Sequence, residues 1–289
     1  MRIKILISNY NDWQSVFKLL ENINSEVLSL EHEFSAIIVN DASTEPRPET
    51  FLNLDKLNSI KIINMKENRG HARCNAAGLK HIFENEEFDY VIPMDGDGED
   101  RPEEIKQLID NLNYHPDKPI VGERIKRSEG IFFKFCYLAH KIITSTFTGQ
   151  SIKYGNYTCL PKSIVEKMIN EKATWSSFSG ALAKIIKDRA IIPSERGTRY
   201  FGPSKMSFKN LIIHSLSIIS VFRTNVLIRS ILFLLVYIFL IHQNINAIML
   251  IPVILVLTLI ASVFVVSKRE NLEELNKSLL NILNIDNLK

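Results

Sequence analysis

Apolar and polar positions alternate in short blocks along the first half of the chain. Ile3-Lys4-Ile5-Leu6-Ile7 reads as a strand that stops at the polar turn Ser8-Asn9-Tyr10-Asn11-Asp12. Val16, Leu19, Leu20, Ile23 and Val27 then recur at helical spacing. Phe34 to Val39 predicts a second strand, ending in Asn40-Asp41-Ala42-Ser43-Thr44-Glu45. Ile60 to Asn64 predicts a third, leading through Asn68-Arg69-Gly70-His71 into a helix with Arg73, Ala76, Ala77, Leu79 and Ile82. Tyr90 to Met94 is a fourth strand. Ile105, Leu108, Ile109 and Leu112 give the next helix one apolar face, and Pro119-Ile120-Val121-Gly122 is a fifth strand. Strands alternating with helices predict an α/β fold, a doubly wound and largely parallel sheet. Ligands of such sheets sit beyond the carboxyl ends of the strands.

Beyond Gly122 the pattern is less regular. Residues 131–147 are mostly apolar and read as a helix carrying Lys134, His140 and Lys141. Residues 154–161 suggest a strand or bend. Ala190 to Pro193 precedes Glu195 to Lys205, a basic loop suited to clamp an anion. Ile212, Leu216, Ile219 and Phe222 share one helical face, which fits a helix in a membrane interface or one packed on a core. Residues 226–242 are apolar apart from Arg229, placed to snorkel, and residues 245–266 carry no charge. About 20 apolar residues span a bilayer, so the two stretches predict a transmembrane hairpin. Its connector, residues 242–246, has no Lys or Arg, whereas Lys205, Lys209, Arg223 and Arg229 precede the hairpin and Lys268 and Arg269 follow it. Positive charge stays inside, which places both ends in the cytoplasm. The tail from Lys268 has Leu272, Leu275, Leu279 and Ile282 at helical spacing. It reads as a self-association seam of a possible homo-oligomer, or as a helix lying on the rest of the chain or on the membrane. The expected segments are therefore 1–205, an interfacial helix 206–225, a hairpin 226–267 and a helical tail 268–289.

Composition narrows the chemistry. The 289 residues carry a formal charge of +3 and are 46% hydrophobic, enough for one large α/β domain and something extra. Met1-Arg2-Ile3-Lys4 leads into a strand, not into the apolar region of a signal peptide. Cys74, Cys136 and Cys159 are scattered, which argues against a disulfide framework or a zinc site and for small buried residues. Between Arg196 and Arg229 every charged side chain is basic, and an apolar region follows. That pairing suits an anionic membrane surface or a phosphate ligand, not nucleic acid. No GxGxxG follows a strand and no GxxxxGK[ST] is present, so a phosphate would be held by metal and side chains.

The acidic turn after the fourth strand supplies such a metal site. Asp95-Gly96-Asp97-Gly98-Glu99-Asp100 crowds four carboxylates that repel one another unless a cation or water sits among them. Pro102, Glu103 and Glu104 then open a helix. Hard oxygen ligands suit Mg²⁺ or Mn²⁺, which share their coordination with substrate phosphates.

Taken in order, these segments resemble a family 2 glycosyltransferase with a GT-A (Rossmann-like) fold, of the membrane-anchored polyprenyl-phosphate type related to dolichyl-phosphate mannose synthase. Ser8-Asn9-Tyr10-Asn11 is similar to that family's P-x-Y-N, with Ser8 in place of proline. Asn40-Asp41-Ala42-Ser43 is similar to D-D-x-S, Asn68-Arg69-Gly70 to N-x-G, and Asp95-Gly96-Asp97-Gly98-Glu99 to D-A-D-L-Q. Gly122-Glu123-Arg124 resembles G-x-R, and Arg199 to Lys205 resembles R-x-x-G-x-S-K. The resemblance implies a nucleotide-sugar donor (UDP or GDP) bound by Asn9, Asn11, Asp41, Asn68, Gly70, Arg73 and Asp95. It implies Mg²⁺ or Mn²⁺ on Asp95, Asp97 and Glu99. Asp97, Arg124, Arg199 and Lys205 become the catalytic set, with Arg124 and less directly Lys134 receiving a polyprenyl-phosphate acceptor. It further implies inversion at the anomeric carbon and a multi-pass protein of the bacterial inner membrane that serves cell-envelope glycan assembly. Asn156 departs from the pattern, standing where many relatives have the aspartate of G-D-F. An amide takes up no proton at neutral pH, so the acceptor is a phosphate, already anionic, or the base is another residue such as Asp100. A hydroxyl-directed transferase and a catalytically silent scaffold of the same fold are the competing readings. His71 and His140 read as packing or surface histidines.

Overall fold

The computed structural model describes residues 1–49, 54–126, 131–204, 207–243 and 245–289. Its centre is an eight-stranded sheet in the order β7-β5-β6-β4-β1-β2-β3-β8. The strands are β1 (Arg2–Asn9), β2 (Glu33–Asn40), β3 (Leu57–Met65), β4 (Tyr90–Asp95), β5 (Ile120–Lys126), β6 (Thr158–Pro161), β7 (Ala190–Glu195) and β8 (Ile282–Asn287). β1 pairs in parallel with β2 and β4, β2 with β3, and β5 with β7. Only β6 and β8 run antiparallel to their neighbours. Of residues 154–161, read as strand or bend, only Thr158–Pro161 is strand.

Strand alternation separates two layers. Ile3, Ile5 and Ile7 of β1 face α1 (Trp13–Glu26) and α3 (Ile105–Leu112), together with Phe34, Ala36 and Ile38 of β2. Leu6, Ile37 and Val39 face the other way, onto α2 (His71–Asn85), α5 (Lys162–Ile169) and α6 (Phe178–Ile185). Lys4 shares this second face and is nearly buried. It meets Glu86 at 2.9 Å, and Lys61 of β3 meets the same carboxylate at 2.6 Å.

The parallel strands bring Asn9, Asn40 and Asn64 into register at the carboxyl edge. Asn284 of β8 continues the row: Asn40 Nδ2 donates to Asn64 Oδ1 (2.9 Å), and Asn64 Nδ2 to Asn284 Oδ1 (2.7 Å).

α4 (Ile131–Thr148) links β5 to β6. α7 (Phe208–Ser220), α8 (Arg223–Ile241) and α9 (Ala247–Ser267) follow β7. By length and composition α8 and α9 are apolar enough to cross a membrane, and little of either is buried within the chain. α7 buries Ser217, Ile219 and Ser220. Arg229 near the start of α8 meets the end of α4. Its Nη1 donates to Thr146 O (3.0 Å), and Asn225 Nδ2 donates to Thr148 O (3.1 Å), so α8 caps the carboxyl end of α4. Glu270, just past α9, is buried and bonds Arg223 at the start of α8 (3.0 Å), which ties the two ends of the hairpin together.

The tail corrects the expectation of a helix over 268–289. Only α10 (Leu272–Asn276) is α-helical; a 3₁₀ turn follows, and then β8 pairs with β3. Leu275 is not a seam residue, since it is fully buried against Ala76 and Trp175. Helical spacing gave way because β3 otherwise presents an open sheet edge, whose ladder hydrogen bonds outweigh the propensity of a short helix.

Candidate active site

The acidic turn leaves β4 at the carboxyl edge and is covered by the basic loop that follows β7. Gly197 N donates to Glu99 O (2.9 Å) and Tyr200 N to Asp97 O (3.0 Å), so the loop is stitched to the turn through the backbone. Gly98 has φ +87°, and the Tyr200 ring lies 2.5 Å from where a Cβ would stand. Asn22 Nδ2 donates to Tyr200 OH (2.8 Å), which fixes the ring from α1.

Each carboxylate of the turn is faced by its own basic side chain. His71 Nε2 lies 3.3 Å from Asp95, Arg199 Nη1 2.5 Å from Asp97, and Arg124 Nη2 3.7 Å from Asp100, while Arg196 pairs with Glu99. Arg199 Nη2 also reaches Asp12 at 2.5 Å, joining the loops after β1 and β4. Burial, with Asp95 and Glu99 adding to it, pushes Asp97 up to about 6. Burial and then Asp95 push Asp100 up to about 8. Burial acts on Asp95 in the same direction, but His71, Arg124, the Asn156 amide and Arg196 outweigh it and hold Asp95 below the usual carboxylate range.

The remaining expected residues fall on three strand ends. Asn11 Oδ1 accepts from Thr44 N (2.8 Å) and Glu45 N (3.0 Å), so it fastens the β1 loop to the β2 loop. Asn9 Oδ1 accepts from Asp12 N (3.3 Å), and its Nδ2 is buried with no partner among the described residues. Asp41 is buried, and its two oxygens accept from Arg69 N (3.0 Å) and Gly70 N (2.8 Å). Its carboxylate therefore shapes the loop before α2. Asn68 in that loop is exposed. Arg73 turns away from the acidic turn towards Trp175 and Glu274. Lys205 and the side chains of Lys134 and His140 lie outside the described residues.

Asn156 and His71 meet beside Asp95. Asn156 Nδ2 donates to Asp95 Oδ1 (3.1 Å) and lies 2.5 Å from His71 Nε2. His71 Nδ1 is 3.0 Å from Ser8 Oγ, and Asn75 Nδ2 is 3.1 Å from Nε2. His71 is thus part of the site, not a packing or surface histidine. The only sequence signal for it was its place directly after Asn68-Arg69-Gly70. Asp100 does not serve as an accessible base: it is buried, accepts from Asp95 N (3.0 Å) and faces Arg124.

The carboxylates expected to hold a metal, Asp95, Asp97 and Glu99, are each paired within the chain. Among the described residues no three His, Cys, Asp or Glu side chains gather as ligands to one ion, and Glu99 is turned to Arg196. One or two carboxylates fit a cation that takes its other ligands from water and a diphosphate.

A cleft of about 510 Å³ opens between the loop before α2 and the segment after α9. Asp41, Arg69, Arg73, Trp175 and Glu274 line it; Asp95 and Asp97 do not.

The family model described as glycosyl transferase family 2 matches residues 4–167, more than half of the chain. Among solved structures, the fold is similar to that of S. aureus TarS, residues 1–349, in complex with UDP-GlcNAc, at 15% identity over 80% of this chain and 70% of that one, with a TM-score of 0.51. It is also similar to glucosyl-3-phosphoglycerate synthase from Mycobacterium tuberculosis in complex with Mn²⁺, UDP and glucosyl-3-phosphoglycerate. There the identity is 11% over 78% of this chain and 79% of that one, with a TM-score of 0.56. At such identities the likeness is one of fold.

Proposed function

This chain belongs to glycosyl transferase family 2, and from that premise we propose that it is a membrane-anchored, inverting transferase that moves a sugar from a nucleotide-diphosphate donor to a polyprenyl phosphate. The observation that carries the acceptor assignment is the Asn156 amide seated on Asp95 where a carboxylate base would otherwise stand. A phosphate oxygen attacks without losing a proton, so the site needs no base there. Arg124 suits reception of that phosphate, since its Nη2 lies 3.0 Å from a Cβ position at Gly155, beside Asn156.

On this reading the donor lies over the carboxyl edge, bounded by the loops that Asn11 and Asp41 hold in shape. Asp97 and Asp95 would hold Mg²⁺ or Mn²⁺ jointly with the diphosphate, and the cation would supply Lewis-acid neutralisation of the leaving group. The Mn²⁺ and UDP bound to the mycobacterial relative support that choice. Arg199 bridges Asp12 and Asp97 and is placed to exchange those partners for leaving-group phosphate. α8 and α9 as a membrane hairpin would keep the transferase beside a lipid that cannot leave the bilayer. Both ends of the hairpin would face the cytoplasm of a bacterial inner membrane.

One observation favours a second reading, transfer to a hydroxyl. His71 lies within 2.5 Å of the Asn156 amide and is the described group best placed to take a proton there. The two readings separate in one assay. Radiolabelled UDP- and GDP-sugars are supplied to bacterial membranes carrying the protein, with and without Mn²⁺ or Mg²⁺. A metal-dependent, mild-acid-labile lipid product is expected. Label confined to acid-stable glycolipid or polymer overturns the phosphate acceptor, and no transfer from any donor overturns the enzyme reading in favour of a silent scaffold.

A further inference from the structure

The chain leaves α9 at Ser267 and starts α10 at Leu272, so four residues separate the hairpin from the tail. That link has no slack. Lys268, Arg269 and Glu270 each donate a backbone N–H back into the end of α9, to the carbonyls of Val265, Val266 and Ser267. The direction of α9 therefore fixes where α10 can lie. α10 in turn is held on the catalytic domain. Asn271 Nδ2 donates to Glu274 Oε1 (3.1 Å), and Trp175 Nε1 to Glu274 Oε2 (2.7 Å). Arg73 of α2 lies 3.7 Å from that second oxygen, and Leu275 is buried against Ala76 and Trp175. Trp175 ends a 3₁₀ turn, Lys172–Trp175, whose other end meets the link. Lys172 Nζ stands 4.0 Å from Glu270 Oε2, the oxygen that accepts from Arg223 Nη1 (3.0 Å).

Glu270 is thus the point where the start of α8, the end of α9 and the catalytic domain meet. Its side chain is 1% exposed, and its Oε1 has no partner among the described residues. Burying a carboxylate with one oxygen unpaired is a poor way to gain stability, because desolvation offsets the attraction of its partners. The arrangement does supply direction, since two basic groups from separate elements converge on one oxygen. We propose that Glu270 and Glu274 are positioning residues that lock the catalytic domain in one orientation over the base of α8 and α9. The inference rests on the membrane and transferase readings above. With the hairpin in a bilayer, the lock holds the carboxyl edge of the sheet at a fixed height and tilt, so the freedom of a swinging domain is not lost anew at each encounter with a lipid acceptor. It gives a part in the reaction to the chain beyond α9, which lies outside the matched residues 4–167.

The full chain is placed in phosphatidylglycerol–phosphatidylethanolamine vesicles. Nitroxide labels go on Tyr114→Cys, an exposed site of the catalytic domain, and on Gln243→Cys between α8 and α9. Cys74 and Cys159 are buried and stay unlabelled, and Cys136→Ser removes the third thiol. Dipolar spectroscopy is expected to give one narrow distance, which Glu270→Gln and Glu274→Ala each broaden. Gln keeps the volume of Glu270, and Arg223 and Lys172, with side chains 33% and 43% exposed, turn to water, so folding is expected to survive. In the same vesicles Glu270→Gln lowers transfer to polyprenyl phosphate about tenfold and leaves metal-dependent donor hydrolysis unchanged. A distance that stays narrow in one variant removes that residue from the lock, and a distance narrow in both overturns it. Hydrolysis and transfer falling together, with a lower melting temperature, would make Glu270 a structural residue and overturn its positioning role. A wild-type chain that transfers nothing while both variants broaden the distance overturns the transferase reading and leaves the lock standing.

Discussion

Gly98 decides whether the basic loop can lie on the acidic turn. Its φ of +87° is open to glycine at no cost, and the Tyr200 ring occupies the volume of a side chain. Gly98→Ala is expected to cost about 1–3 kcal/mol in backbone strain. It also lifts Tyr200, and with it Arg199, away from Asp97. A displacement of about 1 Å in a positioned group lowers turnover about 10²-fold. Donor hydrolysis and transfer rates beside a thermal melt would show a far larger loss of rate than of folded protein. Glu86 offers a separate test on the opposite side of the sheet. Burial raises its pKa, but the bonds from Lys61 and Lys4 outweigh this and leave it below 4.5. Its folded value thus lies below its unfolded one. The stabilisation is complete above the unfolded value and is lost as pH falls through the folded one. Wild type is expected to lose stability over that acid range, and Glu86→Gln to show a flatter profile there in denaturant titrations. Little of this pairing is legible in sequence. The carboxylates of the turn and the arginines of the loop stand out as clusters, yet the partner each side chain takes depends on a fold that brings residues some hundred positions apart into contact.

Elements differ in how openly they announce themselves. Ile3, Ile5 and Ile7 alternate with Lys4 and Leu6, and β1 with its neighbours follows directly from that period. The apolar faces of α1 and α3 are equally open, because local spacing and final burial agree. β8 is hidden. Leu272, Leu275, Leu279 and Ile282 carry a helical period, while the partner that makes β8 a strand, Lys61–Met65, lies over two hundred residues earlier. The meeting of His71 with Asn156 is hidden for the same reason, as it joins α2 to the loop before β6. The edge strand is testable as an element. Leu288 N donates to Ile60 O at 2.8 Å, and Leu288→Pro removes that donor from the ladder. A loss of about 3 kcal/mol is expected in chemical denaturation, with increased self-association as the edge of β3 is uncovered.

At the scale of the whole molecule, the sheet constrains how α8 and α9 could cross a membrane. β7 and β8 belong to one sheet, and α8 and α9 stand between them in the chain. A sheet cannot lie on both sides of a bilayer, so on the proposed membrane reading the apolar helices cross an even number of times. The buried Glu270–Arg223 pair supports the same closure from the hairpin's base. Gln243→Cys is therefore expected to react with a membrane-impermeant thiol reagent added outside intact cells, and Lys289→Cys only after permeabilisation. Labelling of Gln243→Cys only after permeabilisation, like Lys289→Cys, would show that the hairpin does not insert.

The return of β8 to β3 also sets a schedule. A ribosome makes β3 long before α8 and α9, and β8 only after both have emerged. Through that interval the nascent domain has an open edge, and the row of Asn9, Asn40 and Asn64 lacks its last member. On the proposed membrane reading, sheet completion reports that the hairpin has been delivered to the bilayer and has come back, and a chain stalled during insertion stays one strand short. Quality control that recognises open sheet edges would read failed insertion of this protein as failed folding.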